Sequence, residues 1–401
     1  MKQVIICSFL VSFSLSSINA QYIDSLWIGD IRTTSQKFAR KINNRALVVG
    51  IYEAGKDTLL TFGRINLFGR RPDGEDVFQI GSVSKTFTGY LFSKAIVDGQ
   101  IDSLAPVSDF LTIKGKEKYR DTSLLSLATH TSGIPNYTIT FLAPTLLSYV
   151  GSIIAINRLV LAPLDAPAWL IDVPWKIAFV PPPIPFFSLY GRKSLNFDLN
   201  LYGPNEKKQG RMRYSNLGMG LLGRILAEQR NMTYEGLLRS EITSRFGLGN
   251  TTITLSKSQR KNFATPHNIL GIRTFRTKFK RDGIEGAGGI RSTGNDMLKY
   301  LRLQVEGTSS EDSLVYRTLQ ESHFVSRDPK RKGLEMGLGW IRYNPPEDPD
   351  NTIIWHNGQV AGSCAFIGFI PDKKIGVFIL SNNGRAKKIT ELGFQFLRSH
   401  Q

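Results

Sequence analysis

The stretch Phe78-Gln-Ile-Gly-Ser82-Val-Ser-Lys85-Thr-Phe-Thr-Gly89 places a serine one helical turn ahead of a lysine. Phe87, Tyr90, Leu91 and Ala95 follow at helical spacing, and Gly99 suits a C-terminal stop. That spacing predicts a helix from Ser82 to about Asp98. Residues i and i+3 share a helix face, so the Lys85 side chain can reach the Ser82 hydroxyl. A serine is a weak nucleophile until a neighbouring base takes its proton. A helix N-terminus also offers unbonded N–H groups and a positive dipole end, which suits an oxyanion. The chemistry these residues can do is attack on a carbonyl. The competing reading is an N-cap serine beside a solvated lysine.

The elements that must position this pair can be read from pattern. Ala46–Glu53 and Asp57–Asn66 flank Ala54-Gly55-Lys56 as a hairpin. Asn216–Asn231 reads as a helix, and Thr293-Gly-Asn-Asp296 as a capping box opening another through about Gln304. Near the end, Ile353–His356, Ser363–Ile370 and Ile375–Ser381 read as strands, and Ala386–Ser399 as an amphipathic helix. Strands at both ends with helices between them imply a discontinuous α/β lobe from 21–105 and 286–401. A mainly helical lobe, 106–285, would be inserted into it, with an apolar insertion at about 138–206.

Composition excludes several classes. The 401 residues are 41% hydrophobic and 21% charged, so the chain can bury a large core and is not disordered. Only two cysteines occur, so this is not a disulfide scaffold. The five histidines are scattered without ligand spacing, and no metal or cofactor is expected. Gly218-Met-Gly220-Leu-Leu-Gly223 matches a dinucleotide fingerprint, but Tyr214-Ser-Asn precedes it where a strand would be needed. Those glycines are expected to let a neighbouring helix pack closely. No Gly-x-Ser-x-Gly elbow occurs, which disfavours an α/β-hydrolase.

Residues 1–20 read as a secretory signal peptide cut after Ala20, implying an exported, periplasmic or secreted protein. Losing Lys2 with the leader leaves a net charge of +17 and one thiol, Cys364, which its strand-like setting marks as buried. Such basic charge favours polyanionic surroundings, but no nucleic-acid motif is present. Between Thr122 and Asn157 there is no Asp, Glu, Lys or Arg, and 138–156 matches the length of a bilayer span. A lid or membrane-surface contact through 138–187, ordinary core, and a true span all stay open. Asn136, Asn231 and Asn250 head glycosylation sequons.

The Ser82-x-x-Lys85 segment with its flanks resembles the serine β-lactamase and penicillin-binding superfamily, in its class C and D-Ala-D-Ala carboxypeptidase/esterase branch. Leu124 to Pro135 (LLSLATHTSGIP), Tyr214-Ser-Asn216, Gly288 to Met297 and His356-Asn-Gly358 resemble further motifs of that branch, in order. The resemblance implies an antiparallel sheet flanked by helices, and a serine hydrolase acting through an acyl-enzyme on an amide or ester. It implies that Ser82 is acylated and that Lys85 holds or shuttles its proton. It also implies that Tyr214 acts as a phenolate base and that Asn216 orients Lys85 and substrate. His356 would sit on an edge strand and bond Tyr214 or a substrate carboxylate. The backbone N–H groups of Ser82 and Gln359 would form the oxyanion hole, with Asn357 and Gly358 along the substrate. His130 would bond the Thr-Ser-Gly turn. Histidine where the branch also uses lysine tilts the expectation toward a peptidase or esterase over a dedicated β-lactamase. The alternative is a non-catalytic recognition protein that retains the fold.

Overall fold

The computed structural model describes residues 26–43, 45–66, 69–138, 190–269, 271, 273–274, 276–307, 312–326, 332–346, 348 and 351–400. The expectations on the signal peptide and on most of the apolar insertion lie outside these residues. No helix among the described residues is long and apolar enough to cross a membrane.

A helix over 26–41 precedes the strands β1 (Leu47–Glu53) and β2 (Lys56–Phe62). Ala54 and Gly55 turn between them with φ of 44° and 92°, which suits the glycine. The short strand β3 (Val77–Gln79) leads into a 3₁₀ turn, Gly81–Val83, and the helix Ser84–Val97. The helices Leu124–Ala128, Arg192–Leu201, Asn216–Gln229 and Glu285–Gly288 follow, then β4 (Arg291–Thr293) and the helix Gly294–Glu306. The last part carries β5 (Phe324–Val325), β6 (Leu334–Met336), β7 (Ile341–Tyr343), β8 (Ile353–Val360), β9 (Ser363–Ile370), β10 (Ile375–Ser381) and the helix Ala386–Arg398.

Eight strands form one sheet in the order β2-β1-β10-β9-β8-β7-β6-β5, every pair antiparallel. β3 and β4 form a separate two-stranded ribbon. Strands β1, β9 and β10 are buried along their whole length, because the sheet is covered on both faces. Alternate side chains serve two cores. Val48, Ile367, Phe378 and Leu380 pack with the Ser84–Val97 and Asn216–Gln229 helices, on the face that holds the site. Leu47, Val49, Phe366 and Val377 pack with Trp27, Ile31, Leu392 and Phe396 on the other face.

Thr293 caps its helix by accepting from the Asp296 N–H at 3.3 Å. The reciprocal half of the expected capping box is not made. The Asp296 carboxylate instead accepts from the Asn250 N–H at 2.7 Å and the Thr251 hydroxyl at 2.8 Å. The glycines of Asn216–Gln229 serve close packing: a Cβ on Gly220 would lie 2.7 Å from Ile284, and one on Gly223 would lie 3.3 Å from the Gly286 Cα.

Candidate active site

Ser82 lies in the 3₁₀ turn, just ahead of the helix that carries Lys85, so the expected helix start is displaced by two residues. Gly81 has φ +53°, which favours glycine, and the turn it permits leaves Ser82 half-buried and facing the site. Ser84 fixes the turn from behind, donating to the Gly81 carbonyl at 2.7 Å.

Lys85 is fully buried. Its Nζ lies 2.7 Å from Asn216 Oδ1, 2.6 Å from the Ala287 carbonyl and 3.0 Å from Ser82 Oγ. No carboxylate is among these partners, and burial holds the Lys85 pKa well below 10.5. A neutral amine has two N–H donors and one lone pair. Asn216 Oδ1 and the Ala287 carbonyl are obligate acceptors and take both donors. Nζ is within donating distance of Ser82 Oγ, and in its neutral form, which burial favours, its lone pair can instead accept the Ser82 proton, as a general base must.

Asn216 is held in turn. Its Nδ2 donates to Asn136 Oδ1 at 2.8 Å and to the Tyr137 hydroxyl at 2.7 Å. Asn136, singled out only as a sequon, is therefore part of the wall behind Lys85. Ser215 caps the Asn216 helix, accepting from the Gly218 N–H at 2.9 Å.

Tyr214 shares a side-chain hydrogen bond with Ser82, and Lys85 Nζ lies 4.7 Å from its ring centroid. The phenolate implied by the resemblance is not supported here. Burial pushes the Tyr214 pKa above 10. That direction favours the protonated phenol, which can donate.

His130 is buried with φ +60°, its ring 4.6 Å from that of Tyr214. Its Nδ1 accepts the Ser215 N–H at 3.3 Å, which leaves the proton on Nε2. His356 has the opposite tautomer: its Nδ1 donates to the Asn357 carbonyl at 2.6 Å. Its Nε2 is buried without a partner among the described residues, and its ring centroid is 6.3 Å from that of Tyr214. Burial lowers the His356 pKa to about 3. With the proton on Nδ1 and the charged form disfavoured by burial, Nε2 of His356 is an acceptor, which suits a donor such as the Tyr214 hydroxyl better than a substrate carboxylate. A neutral ring that presents a lone pair repels an anion. Nitrogen-15 NMR should show His356 neutral and Nδ1-protonated at pH 5. A ring already protonated at that pH would overturn the assignment.

β8 is an interior strand rather than an edge strand, since β7 pairs with Ile353, Ile354 and Trp355. β7 does not extend beyond Trp355, so residues 356–360 pair only with β9 and present their other edge to the 3₁₀ turn. A Cβ on Gly358 would lie 2.9 Å from the Ser82 nitrogen, and one on Gly81 2.7 Å from the Gln359 nitrogen. The two amides expected to form the oxyanion hole are thus brought together. Asn357 is a correction. Strand alternation turns its side chain to the far face, where Nδ2 donates to Thr390 at 2.8 Å, so it does not face substrate. Cys364 is buried on β9, and no metal-binding cluster of His, Cys, Asp or Glu occurs among the described residues.

A cleft of about 1130 Å³ opens beside Tyr214, between the 209–213 segment and β5. Sequence reading missed it, because β5 is two residues long and carries no periodic signal.

The buried serine–lysine pair under a sheet edge defines a serine acyl-transfer fold. The chain belongs to the Beta-lactamase family, which it matches over residues 36–392. It is similar to a "Beta-lactamase" of Pseudomonas fluorescens, 24% identical over 88% of this chain and 92% of the relative. It is also similar to the "D-alanyl-D-alanine-carboxypeptidase/endopeptidase AmpH" of Escherichia coli strain K12, 25% identical over 77% and 72% of the two chains. A crystal structure of a class C β-lactamase superposes with a TM-score of 0.71 at 20% identity, covering 94% of this chain and 98% of the other. A β-lactamase/D-alanine carboxypeptidase from Pseudomonas syringae superposes with a TM-score of 0.70 at 17% identity, over 95% and 99%. The chain is a serine hydrolase that works through an acyl-enzyme.

Proposed function

We propose that Ser82 is the nucleophile and Lys85 its base. The proposed substrate is an ester, or an amide with no carboxylate beside its leaving nitrogen. The observation that carries this reading is the buried Lys85 Nζ lying 3.0 Å from Ser82 Oγ, with no carboxylate among its partners. Ser82 Oγ attacks the carbonyl carbon as Lys85 takes the proton. The Ser82 and Gln359 N–H groups hold the oxyanion. Tyr214 passes its phenol proton to the leaving group and takes back the proton that Lys85 received from Ser82, Lys85 Nζ lying 4.7 Å from its ring centroid. The leaving group departs, and water then hydrolyses the acyl-enzyme by the reverse proton route.

The substrate preference rests on His356. β-Lactams and D-alanyl-D-alanine termini both carry a carboxylate one carbon from the scissile nitrogen. At the β8 edge this site offers a neutral acceptor where a cation would favour that group. The second reading, hydrolysis of β-lactams or D-alanyl peptides, is favoured by the printed names of the relatives.

Intact mass separates the two. Wild type and Ser82→Ala are each incubated with p-nitrophenyl butyrate, a fluorescent penicillin and a D-alanyl-D-alanine peptide. Wild type is expected to turn over the ester with a p-nitrophenol burst and to react poorly with the other two, and Ser82→Ala to show none of this. A penicillin adduct, or drug turnover faster than ester turnover, establishes the second reading. An adduct that persists in Ser82→Ala would reject Ser82. No reaction with any of the three would favour a recognition role.

A further inference from the structure

The cleft beside Tyr214 is lined by Arg211 and Arg213, together with Gln209, His323 and Ser326. Both arginines are exposed, and neither forms an ion pair with a described residue. No Asp or Glu is among the described lining residues. The backbone of this wall is fixed, because the Gly210 N–H donates to the Thr131 carbonyl at 2.9 Å and the Arg213 N–H to the His130 carbonyl at 2.7 Å. His323 is also held, with Nε2 on the Thr318 carbonyl at 2.5 Å. The two guanidiniums are therefore mounted on a strapped segment that ends at Tyr214, itself hydrogen-bonded to Ser82.

The charge pattern of the site is lopsided. β8 offers the lone pair of His356, and the cleft beside Tyr214 offers two cations, with planar donor forks, that have no ion-pair partner among the described residues. Guanidinium pairs with carboxylate or phosphate through paired N–H donors, and it stays charged at any working pH. We infer that Arg211 and Arg213 form an anion subsite, so the preferred substrate carries a carboxylate or phosphate on an arm that reaches the 209–213 wall, several atoms from the scissile carbonyl. This rests on the reading of Ser82 as the acylated residue, and it names the substrate class of that site.

The test uses the full chain and four esters. p-Nitrophenyl monoglutarate against p-nitrophenyl butyrate places the charge on the acyl arm. m-Carboxyphenyl butyrate against phenyl butyrate places it on the leaving arm. One charged ester is expected to exceed its neutral partner in kcat/KM by about tenfold or more through KM, as a charge-assisted contact implies. The preference should disappear in the Arg211→Gln/Arg213→Gln double variant with the neutral esters unchanged, and should weaken in 0.5 M NaCl, a probe concentration chosen to be roughly within the strongly screened range. Calorimetric titration of Ser82→Ala with glutarate and with inorganic phosphate reads the subsite without chemistry and tells the two anions apart. Binding lost in the arginine variant supports the subsite even if no ester is hydrolysed, in which case the ester reading fails alone. No charged preference and no arginine-dependent anion binding overturns the inference. An equal loss on neutral esters also overturns it, because it assigns the arginines a merely structural role.

Discussion

Exchanging Lys85 for methionine is expected to lower kcat/KM by about 10³–10⁴-fold on any substrate that acylates Ser82, the usual scale of a positioned general base. The wild-type rate should rise with pH through the Lys85 pKa, which burial holds well below 10.5, because only the unprotonated amine can accept the serine proton. The methionine variant should lose that limb. Ser82→Ala is expected to cost more, on the order of 10⁶-fold, and adding Lys85→Met to it should cost nothing further, since groups that act as one unit are not additive. The variant also leaves Asn216 Oδ1 and the Ala287 carbonyl without their donor, which costs about 1–3 kcal/mol for each unsatisfied group. Part of that is offset, because the buried amine no longer has to give up its proton on folding. Thermal unfolding measured beside the kinetics separates the two effects. A variant that keeps both the pH limb and most of its rate would sink Lys85 as the base and return the role to Tyr214.

The Ser82–Lys85 contact was legible in the sequence because it is local: one helical turn joins the two residues, and the flanks fix where that turn lies. The order of the other motifs was legible for a similar reason, since Tyr214-Ser-Asn216 and His356-Asn-Gly358 each sit at an element end that pattern reveals. What decides their protonation was not legible. The Ala287 carbonyl and Asn136 reach the site from segments 202 residues from Lys85 and 80 from Asn216, and a carbonyl carries no sequence signal. The opposed tautomers of His130 and His356 likewise depend on one backbone group each, the Ser215 N–H and the Asn357 carbonyl. Motif order placed Asn357 on the substrate, but strand alternation turned its side chain away.

Gly358→Ala tests the oxyanion geometry without touching any side chain of the site. An added Cβ would lie 2.0 Å from the Ile80 carbonyl oxygen and 2.9 Å from the Ser82 nitrogen. Both are backbone atoms, which cannot rotate aside, so β8 must draw back from the 3₁₀ turn. That separates the Gln359 amide from the Ser82 amide and weakens their joint hold on the oxyanion. The expected loss is about 10²–10³-fold in kcat, the usual scale for one misplaced oxyanion donor. Forced overpacking of this kind should also cost about 1–3 kcal/mol of stability, read as a fall in Tm of a few degrees. Gly249→Ala is the control, because a Cβ there meets nothing within 4 Å. The pH limb of Lys85 should persist in Gly358→Ala while kcat falls, which distinguishes a displaced oxyanion hole from a lost base. Unchanged kcat and Tm would mean that β8 and the serine turn do not meet at this distance, and the oxyanion would then need donors other than Ser82 and Gln359.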